Sequence, residues 1–238
     1  NLGLRGDAVQ YLRNEGQVSP RVGVSYKYDP SNVFHVFYGR MFTPPNLEAI
    51  SFAKLNTAGT RAQPDDTTNN TVRAERAHYF EVGSYHALNR YATLQFTGWY
   101  KLSNFLSDAG QFGTTPLLNY FAFERGWQRG MDAALKLQLT ENLTARGNVA
   151  WGQCKGYGLQ SGHFLLEAKE IADINSRGGV FCDHMQTLTS SAIMTYRFLE
   201  RTTVTGQMLF ASGLRTAENE EAKTNSTHSP SYTIYNVS

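Results

Sequence analysis

Apolar and polar residues alternate along residues 92–102, which read ATLQFTGWYKL. The even-numbered set, from Ala92 to Leu102, is apolar, and the odd-numbered set, from Thr93 to Lys101, is mostly polar. A period of two is the pattern of a β-strand whose two faces meet different surroundings. In a soluble sandwich the apolar face lies in the core, whereas in an outer-membrane barrel it faces lipid. This strand alone does not decide between them.

The same alternation recurs along the chain and predicts about ten strands. Its further apolar sets are Val22–Tyr28, Ala133–Leu139, Leu143–Trp151, Leu188–Phe198 and Val204–Phe210. Short connections are predicted at 29–32, 88–90, 140–143 and 199–201. Long ones are predicted at 43–75, 105–117, 155–182 and 215–230, and a moderate one near 13–19. Short turns on one rim and long loops on the other are typical of an outer-membrane barrel.

Aromatic residues near the ends of the predicted strands favour the same interpretation, because aromatic girdles mark the two membrane interfaces. The residues concerned are Tyr26, Tyr28, Tyr38, Trp99, Tyr100, Trp151, Tyr196 and Phe198. A soluble all-β protein, whose strands also favour aromatic residues, remains the alternative at this point.

Composition narrows the choice only a little. The chain has 238 residues, of which 41% are hydrophobic and 18% charged, and a formal net charge of +2. A nearly balanced charge gives no support to nucleic-acid binding. The mean hydropathy of −0.41 looks soluble, but alternating strands dilute this signal. Because the chain begins at Asn1 and ends inside a predicted strand, we expect it to be a piece of a longer protein.

Specific stretches resemble, in order, the conserved segments of one known family. They are SPRVG (19–23), YGRMFTPPNLE (38–48), ERAHYFEVG (75–83), GMDAALKLQLTENLTARGNVAW (130–151), DHMQTLTSSAIMTYRF (183–198), SGLRT (212–216) and PSYTIYNVS (230–238). Together they resemble the TonB-dependent outer-membrane receptors, although Asp132 stands where that family often has Glu.

The resemblance implies an all-β fold, an antiparallel transmembrane β-barrel, with residues 1–238 supplying about ten strands of a 22-stranded plugged barrel. The plug domain and the final strands would lie outside this chain. The implied function is to bind a scarce nutrient of the siderophore, haem, cobalamin, saccharide or peptide class and to import it with energy from the inner membrane. The implied location is the bacterial outer membrane.

The resemblance also implies the partners. They are outer-membrane lipid, the plug and remaining barrel of the same protein, the inner-membrane energy-coupling complex and a small-molecule ligand at the external loops. Neither a cofactor nor a nucleic acid is expected, and no residue is expected to be catalytic. The alternatives are a passive channel or adhesin-like barrel without a plug, and a barrel enzyme. Ligand contacts are expected in the four long loops, without any individual residue being singled out.

Two cysteines, Cys154 and Cys182, flank the long connection 155–182. Antiparallel neighbours would bring them into disulfide range, and exported compartments are oxidising. A candidate disulfide is therefore expected at the base of this loop, with two free thiols or a metal site as alternatives.

Other candidate sites have weaker patterns. His163, Cys182, Asp183 and His184 suggest a metal site or a nucleophile triad, but nothing in their spacing enforces contact between a nucleophile and its base. Residues 164–174 have helical spacing and predict a short helix in the loop. Candidate cations of the barrel interior are Arg5, Lys27, Arg40, Lys101, Lys136, Arg146 and Arg197, with Asp7, Glu81 and Asp132 as possible partners.

Overall fold

The computed structural model describes residues 1–11, 13–45, 47, 50, 72–110, 119–161, 168–183, 185–199, 202–216 and 226–238. An antiparallel sheet of eleven strands dominates these residues, in the order β1-β2-β3-β4-β5-β6-β7-β9-β10-β13, with β8 paired beside β7. Its strands are β1 (Leu2–Gln10), β2 (Asn14–Asp29), β3 (Asn32–Thr43), β4 (Glu75–Asn89), β5 (Ala92–Gly110), β6 (Asn119–Gln138), β7 (Leu143–Ser161), β8 (Val180–Phe181), β9 (Leu188–Leu199), β10 (Thr202–Ala211) and β13 (Tyr232–Val237). β11 (Arg215–Thr216) and β12 (Thr227–His228) pair as a separate two-stranded sheet, and a helix, α1, spans Ala168–Ser176.

The register of the sheet places the predicted apolar positions on one common face. Val22 pairs with Tyr38, Tyr38 with Phe80, and Phe80 with Tyr100. We call the face that carries these residues the outer face and the opposite one the inner face. Large apolar side chains of the outer face are exposed, for example Val36 at 57% and Val82 at 58%. A soluble fold would bury this face, so its exposure agrees with strands that face lipid.

The four short connections lie where the pattern predicts them, since β2 ends at Asp29, β4 at Asn89, β6 at Gln138 and β9 at Leu199. The moderate connection predicted near 13–19 is wrong. Residues 14–19 belong to β2, and only residues 11–13 separate it from β1. Alternation at the start of β2 is hidden because Gly16 and Pro20 interrupt the apolar set on the outer face.

The strands beside the long connections extend further than predicted. β5 continues to Gly110 and β7 to Ser161, so both cover residues that the sequence assigns to loops. The helix predicted over 164–174 is present as Ala168–Ser176, and residues 164–167 lie outside the described part. Within the described ranges, no helix is long and apolar enough to cross a membrane.

The tall strands β5, β6 and β7 carry a small core at their long-loop end. Leu106, Phe123 and Leu159 contribute from these strands, Ile174 from α1, and Val180 and Cys182 from β8 and its end. All six side chains are buried. We call this core, together with α1 and β8, the cap. Its side chains are buried, whereas the rest of the sheet leaves large apolar side chains exposed.

Candidate functional site: the inner face and the cap

The inner face carries a series of ion pairs. Arg5 Nη2 lies 2.6 Å from Asp7 Oδ1, and Lys101 Nζ lies 2.7 Å from Glu75 Oε1. Ser103 Oγ also donates to Glu75 Oε1, at 2.5 Å. Glu75 and Ser103 are nearly buried, so each polar group here needs its partner. These ion pairs and the hydrogen bond from Ser103 fix the charged side chains on the inner face.

Aromatic and acidic side chains meet further along the same wall. The rings of Tyr79 and Trp99 stack with centroids 6.4 Å apart, and Tyr79 Oη donates to Glu81 Oε2 at 2.6 Å. His35 Nε2 lies 3.2 Å from the other oxygen of Glu81. Trp99 therefore faces inward, and its prediction as a girdle residue is wrong. The alternation of residues 92–102 already put it on the polar side.

A second polar group lies at the long-loop end, between β2 and the segment that leads into β4. Tyr11 donates to Glu15 Oε1, which also accepts from the backbone N–H of Ala74 at 3.3 Å. Arg76 Nη2 lies 2.7 Å from Glu15 Oε2. Burial, followed by the hydrogen bond to Glu15, raises the pKa of Tyr11 to about 12. Sequence reasoning missed this group because it assigned Glu15 to a connection.

The predicted interior cations are mostly placed as expected. Lys27, Lys101, Lys136, Arg146 and Arg197 share the inner-face alternation with Arg5. Arg40 is the exception, because it pairs with His78 on the outer face, two residues beyond Tyr38. Of the three proposed acidic partners, Asp7 pairs with Arg5, whereas Lys101 uses Glu75 instead.

A cavity of about 710 Å³ lies on the inner face near the short turns. Lys136 and Arg146 line it and occupy directly opposite positions on β6 and β7. Gln95 and Asn148 add amide groups. Such a lining suits anionic or strongly hydrated groups better than apolar ones.

The cap is held to β7 at several points. The structure joins Cys154 to Cys182 with their Cα atoms 5.3 Å apart, and the N–H of Cys182 donates to Cys154 O at 3.1 Å. Asn175 of α1 accepts from the N–H of Leu159 at 2.7 Å and donates to Leu159 O at 3.3 Å. The oxidation state of the two cysteines in the protein stays a prediction, which a thiol assay tests.

Two glycines make room for the cap. Gly126 and Gly156 lie opposite each other on β6 and β7. A Cβ added to Gly156 would lie 2.5 Å from Phe123 Cδ2, and one added to Gly126 would lie 3.1 Å from Leu106 Cβ. Since both glycines belong to the inner-face alternation, the cap core packs over the inner side of the sheet. There it overhangs the interior rather than the lipid side.

The predicted metal or nucleophile group receives no geometry from the structure. His163 and His184 lie outside the described residues. The backbone N–H of Asp183 donates to Asp108 Oδ2 at 2.7 Å, which ties the end of β8 to β5. Among the described residues, no three His, Cys, Asp or Glu side chains come together as metal ligands.

Comparison with known proteins gives one family and one fold. The family model of the TonB-dependent receptor-like β-barrel matches residues 1–238. A search of curated proteins gave no match.

Several solved structures share the fold at low sequence identity. The siderophore receptor PiuA from Acinetobacter baumannii is 14% identical with a TM-score of 0.65, covering 99% of this chain and 33% of PiuA. The FrpB iron transporter from Neisseria meningitidis (F5-1 variant) is 16% identical with a TM-score of 0.65, covering 99% and 35%. The ferric-catecholate import receptor Fiu from E. coli K12 is 10% identical with a TM-score of 0.61, covering 94% and 28%. The chain therefore spans about a third of the length of the structures that it matches.

Proposed function

Because the chain belongs to the TonB-dependent receptor β-barrel family of the bacterial outer membrane, we propose that it forms part of an active nutrient importer. In this proposal residues 1–238 are a partial barrel domain, and the rest of the protein supplies the plug and the remaining strands. The receptor binds a scarce small molecule at its external loops and imports it with energy coupled from the inner membrane. The match to the barrel family over the whole chain is the observation that carries this proposal.

The arrangement of the inner face supports a binding role rather than a chemical one. Some of its charges are paired with each other, as in Glu75 with Lys101 and Arg5 with Asp7, which suits a wall against which other groups pack. The family consists of transport receptors rather than enzymes.

The cap supports ligand contact at the outer end. α1 is tied to β7 through Asn175, and the N–H of Cys182 donates to Cys154 O, while α1 and β8 pack over the inner side of the sheet. A loop held at its base loses less entropy when it closes on a ligand than a free loop would. We infer that loop 155–182 is one of the ligand-contacting loops, with 43–75, 105–117 and 215–230.

The nutrient classes that we propose are siderophore, haem, cobalamin, saccharide and peptide. The matched structures are described as iron, copper and siderophore transporters or receptors. A ferric catecholate is therefore the first probe we would use, followed by haem, cobalamin and a maltodextrin.

The deciding experiment measures uptake of each labelled probe by cells that express the full-length protein, with and without a proton gradient across the inner membrane. We expect one probe to accumulate only in energised cells. A passive channel, the alternative function, would let its solute enter equally in both conditions and would conduct ions in a planar bilayer. Equal uptake after collapse of the gradient would refute active import.

A further inference from the structure

A basic and aromatic band occupies the outer face of β6 and β7 near their long-loop ends. The register pairs Arg125 with Tyr157, Trp127 with Lys155, and Arg129 with Gln153. All of these positions share the outer-face alternation with Met131 and Val149, so their side chains leave the sheet on the side of the exposed apolar residues. We call Arg125, Trp127, Arg129, Lys155 and Tyr157 the outer band.

The band lies at the upper limit of the apolar belt. Arg129 is nine positions above Gln138, the last residue of β6 before the short turn. With a rise of about 3.3 Å per residue and a tilt of about 40°, this height is about 23 Å. The apolar band of such barrels is about 25 Å tall, so Arg129 lies at the interface and the other band residues just beyond it.

Aromatic rings and the amide of Gln153 hold two of the three cations in position. The Arg129 guanidinium carbon lies 4.7 Å from the centre of the Trp127 ring and 5.7 Å from that of Trp151. Arg129 also donates to Gln153 Oε1 from Nη2 at 2.8 Å and from Nε at 3.2 Å. Lys155 Nζ lies 5.5 Å from the centre of the Tyr157 ring, and Trp127 Nε1 donates to Tyr157 Oη at 3.1 Å. Arg129 and Lys155 are thus oriented by their neighbours, whereas Arg125 is exposed beside them.

The band carries positive charge that no carboxylate in the described part of the chain pairs with. Among the described residues, no carboxylate lies within ion-pairing distance of Arg125, Arg129 or Lys155. Asp132 of β6 occupies the inner face, and Asp108 of the neighbouring β5 accepts the backbone N–H of Asp183. Glu124 is the acidic neighbour along β6 and is itself exposed. Arg125 and Arg129 are exposed and Lys155 is half-buried, and Arg129 and Lys155 lie against aromatic rings on the membrane side.

A cleft on the outer face lies beside these cations. A cavity of about 490 Å³ opens between β4, β5, β6 and β7, lined by His78, Leu102, Arg125, Trp127 and Tyr157. Its lining joins an apolar side chain, Leu102 opposite Trp127, to a cation and two aromatic rings. A molecule with an acyl chain below and an anionic group above would contact both.

We propose that the outer band binds the phosphate groups of a phosphorylated glycolipid in the outer leaflet. This inference rests on the family's outer-membrane location and not on the nutrient that is imported. Guanidinium forks match phosphate oxygens, and Trp and Tyr favour the level of the lipid headgroups. Arg40, opposite His78 on the same face, extends the positive surface to β3.

The test counts lipids on the full-length receptor by native mass spectrometry, with bisphosphorylated lipid A, its dephosphorylated form and phosphatidylcholine as probes. We expect the receptor to retain the bisphosphorylated probe, and Arg125→Gln/Arg129→Gln/Lys155→Gln to reduce this retention by at least about tenfold, since each cation near a lipid surface adds to the attraction. Lys27→Gln/Lys136→Gln/Arg146→Gln removes the same charge from the inner face and serves as the matched control. It should leave retention unchanged.

Folding is checked separately, by the shift in gel mobility between heated and unheated barrel. If the outer triple variant fails to fold, Arg125→Lys/Arg129→Lys is compared with the unchanged receptor instead. This variant keeps the charge and should keep most of the lipid retention. Equal retention of phosphatidylcholine and bisphosphorylated lipid A by the unchanged receptor would overturn the proposal. An equal loss in the inner-face control would do so as well.

Discussion

The opposed glycines of β6 and β7 offer the sharpest test of how the cap is attached. Gly156→Ala adds one Cβ, which would lie 2.5 Å and 2.6 Å from the two Cδ atoms of Phe123. That ring is only 2% exposed and is enclosed by Leu106 and Leu159, so it has little freedom to withdraw. Forcing an extra group into packed surroundings costs about 1–3 kcal/mol.

The cost should appear in local opening of the cap rather than in unfolding of the whole barrel. The amide of Cys182 donates to Cys154 O and reports on the attachment of β8 to β7. If the cap alone is destabilised, opening becomes about 5- to 150-fold more frequent, and hydrogen exchange at Cys182 accelerates by the same factor. Hydrogen exchange followed by mass spectrometry of the full-length receptor, reconstituted in lipid, measures this rate.

Gly206→Ala is the matched control, because a Cβ at that position meets no atom within 4 Å. It should leave exchange at Cys182 unchanged. The double variant Phe123→Leu/Gly156→Ala removes the colliding ring and should recover part of the protection. Exchange in Gly156→Ala that stays close to the rate of Gly206→Ala would refute the packing argument.

Three further outcomes are expected. Cys154 and Cys182 should resist thiol labelling until they are reduced, and prompt labelling of the native protein would exclude the bridge. Cys154→Ser/Cys182→Ser should speed proteolysis within 155–181, because a bridge with a sequence separation of 28 restricts the unfolded loop by about 3.5 kcal/mol. Because the pKa of Tyr11 is raised to about 12, its contribution to stability is complete below about pH 10 and is lost as the pH rises through the folded-state pKa. Difference absorbance at 295 nm between the protein and Tyr11→Phe should show this late titration, and a titration near pH 10 would contradict it. Asn175→Asp keeps the acceptor for the Leu159 N–H but loses the donor to Leu159 O, so α1 should separate from β7 more often. Hydrogen exchange at the Leu159 amide should then be faster, whereas the control Lys136→Gln, far from the cap, should leave it unchanged.

The regular part of the sheet was predictable because its two faces meet two different environments. A one-residue slip would turn Tyr38, Phe80 and Tyr100 away from lipid, so the alternation fixes the register as well as the strands. The wrong predictions concern positions where the need to keep one face towards lipid does not fix the pattern. The start of β2 lies near the rim, and its inner residues Glu15 and Gln17 are paired with distant groups that no local pattern reveals. Arg40 was misplaced because a cation was expected inside, although the alternation assigned it to the outer face.

The cap shows where the requirement for strict alternation ends. Within lipid, every backbone polar group must pair inside the sheet, so strands there are regular. Phe105 on β5 has a φ of 56° and Gly158 on β7 a φ of 66°, both beyond the height of the apolar belt. These irregular residues allow Leu106, Phe123 and Leu159 to gather in one core, although strict alternation along β5 and β6 would place Leu106 and Phe123 on the outer face, with Asn104 and Arg125. β5, β6 and β7 thus form a regular lipid-facing wall at lower height and carry the packed cap above it, because the constraint on their backbone changes with height.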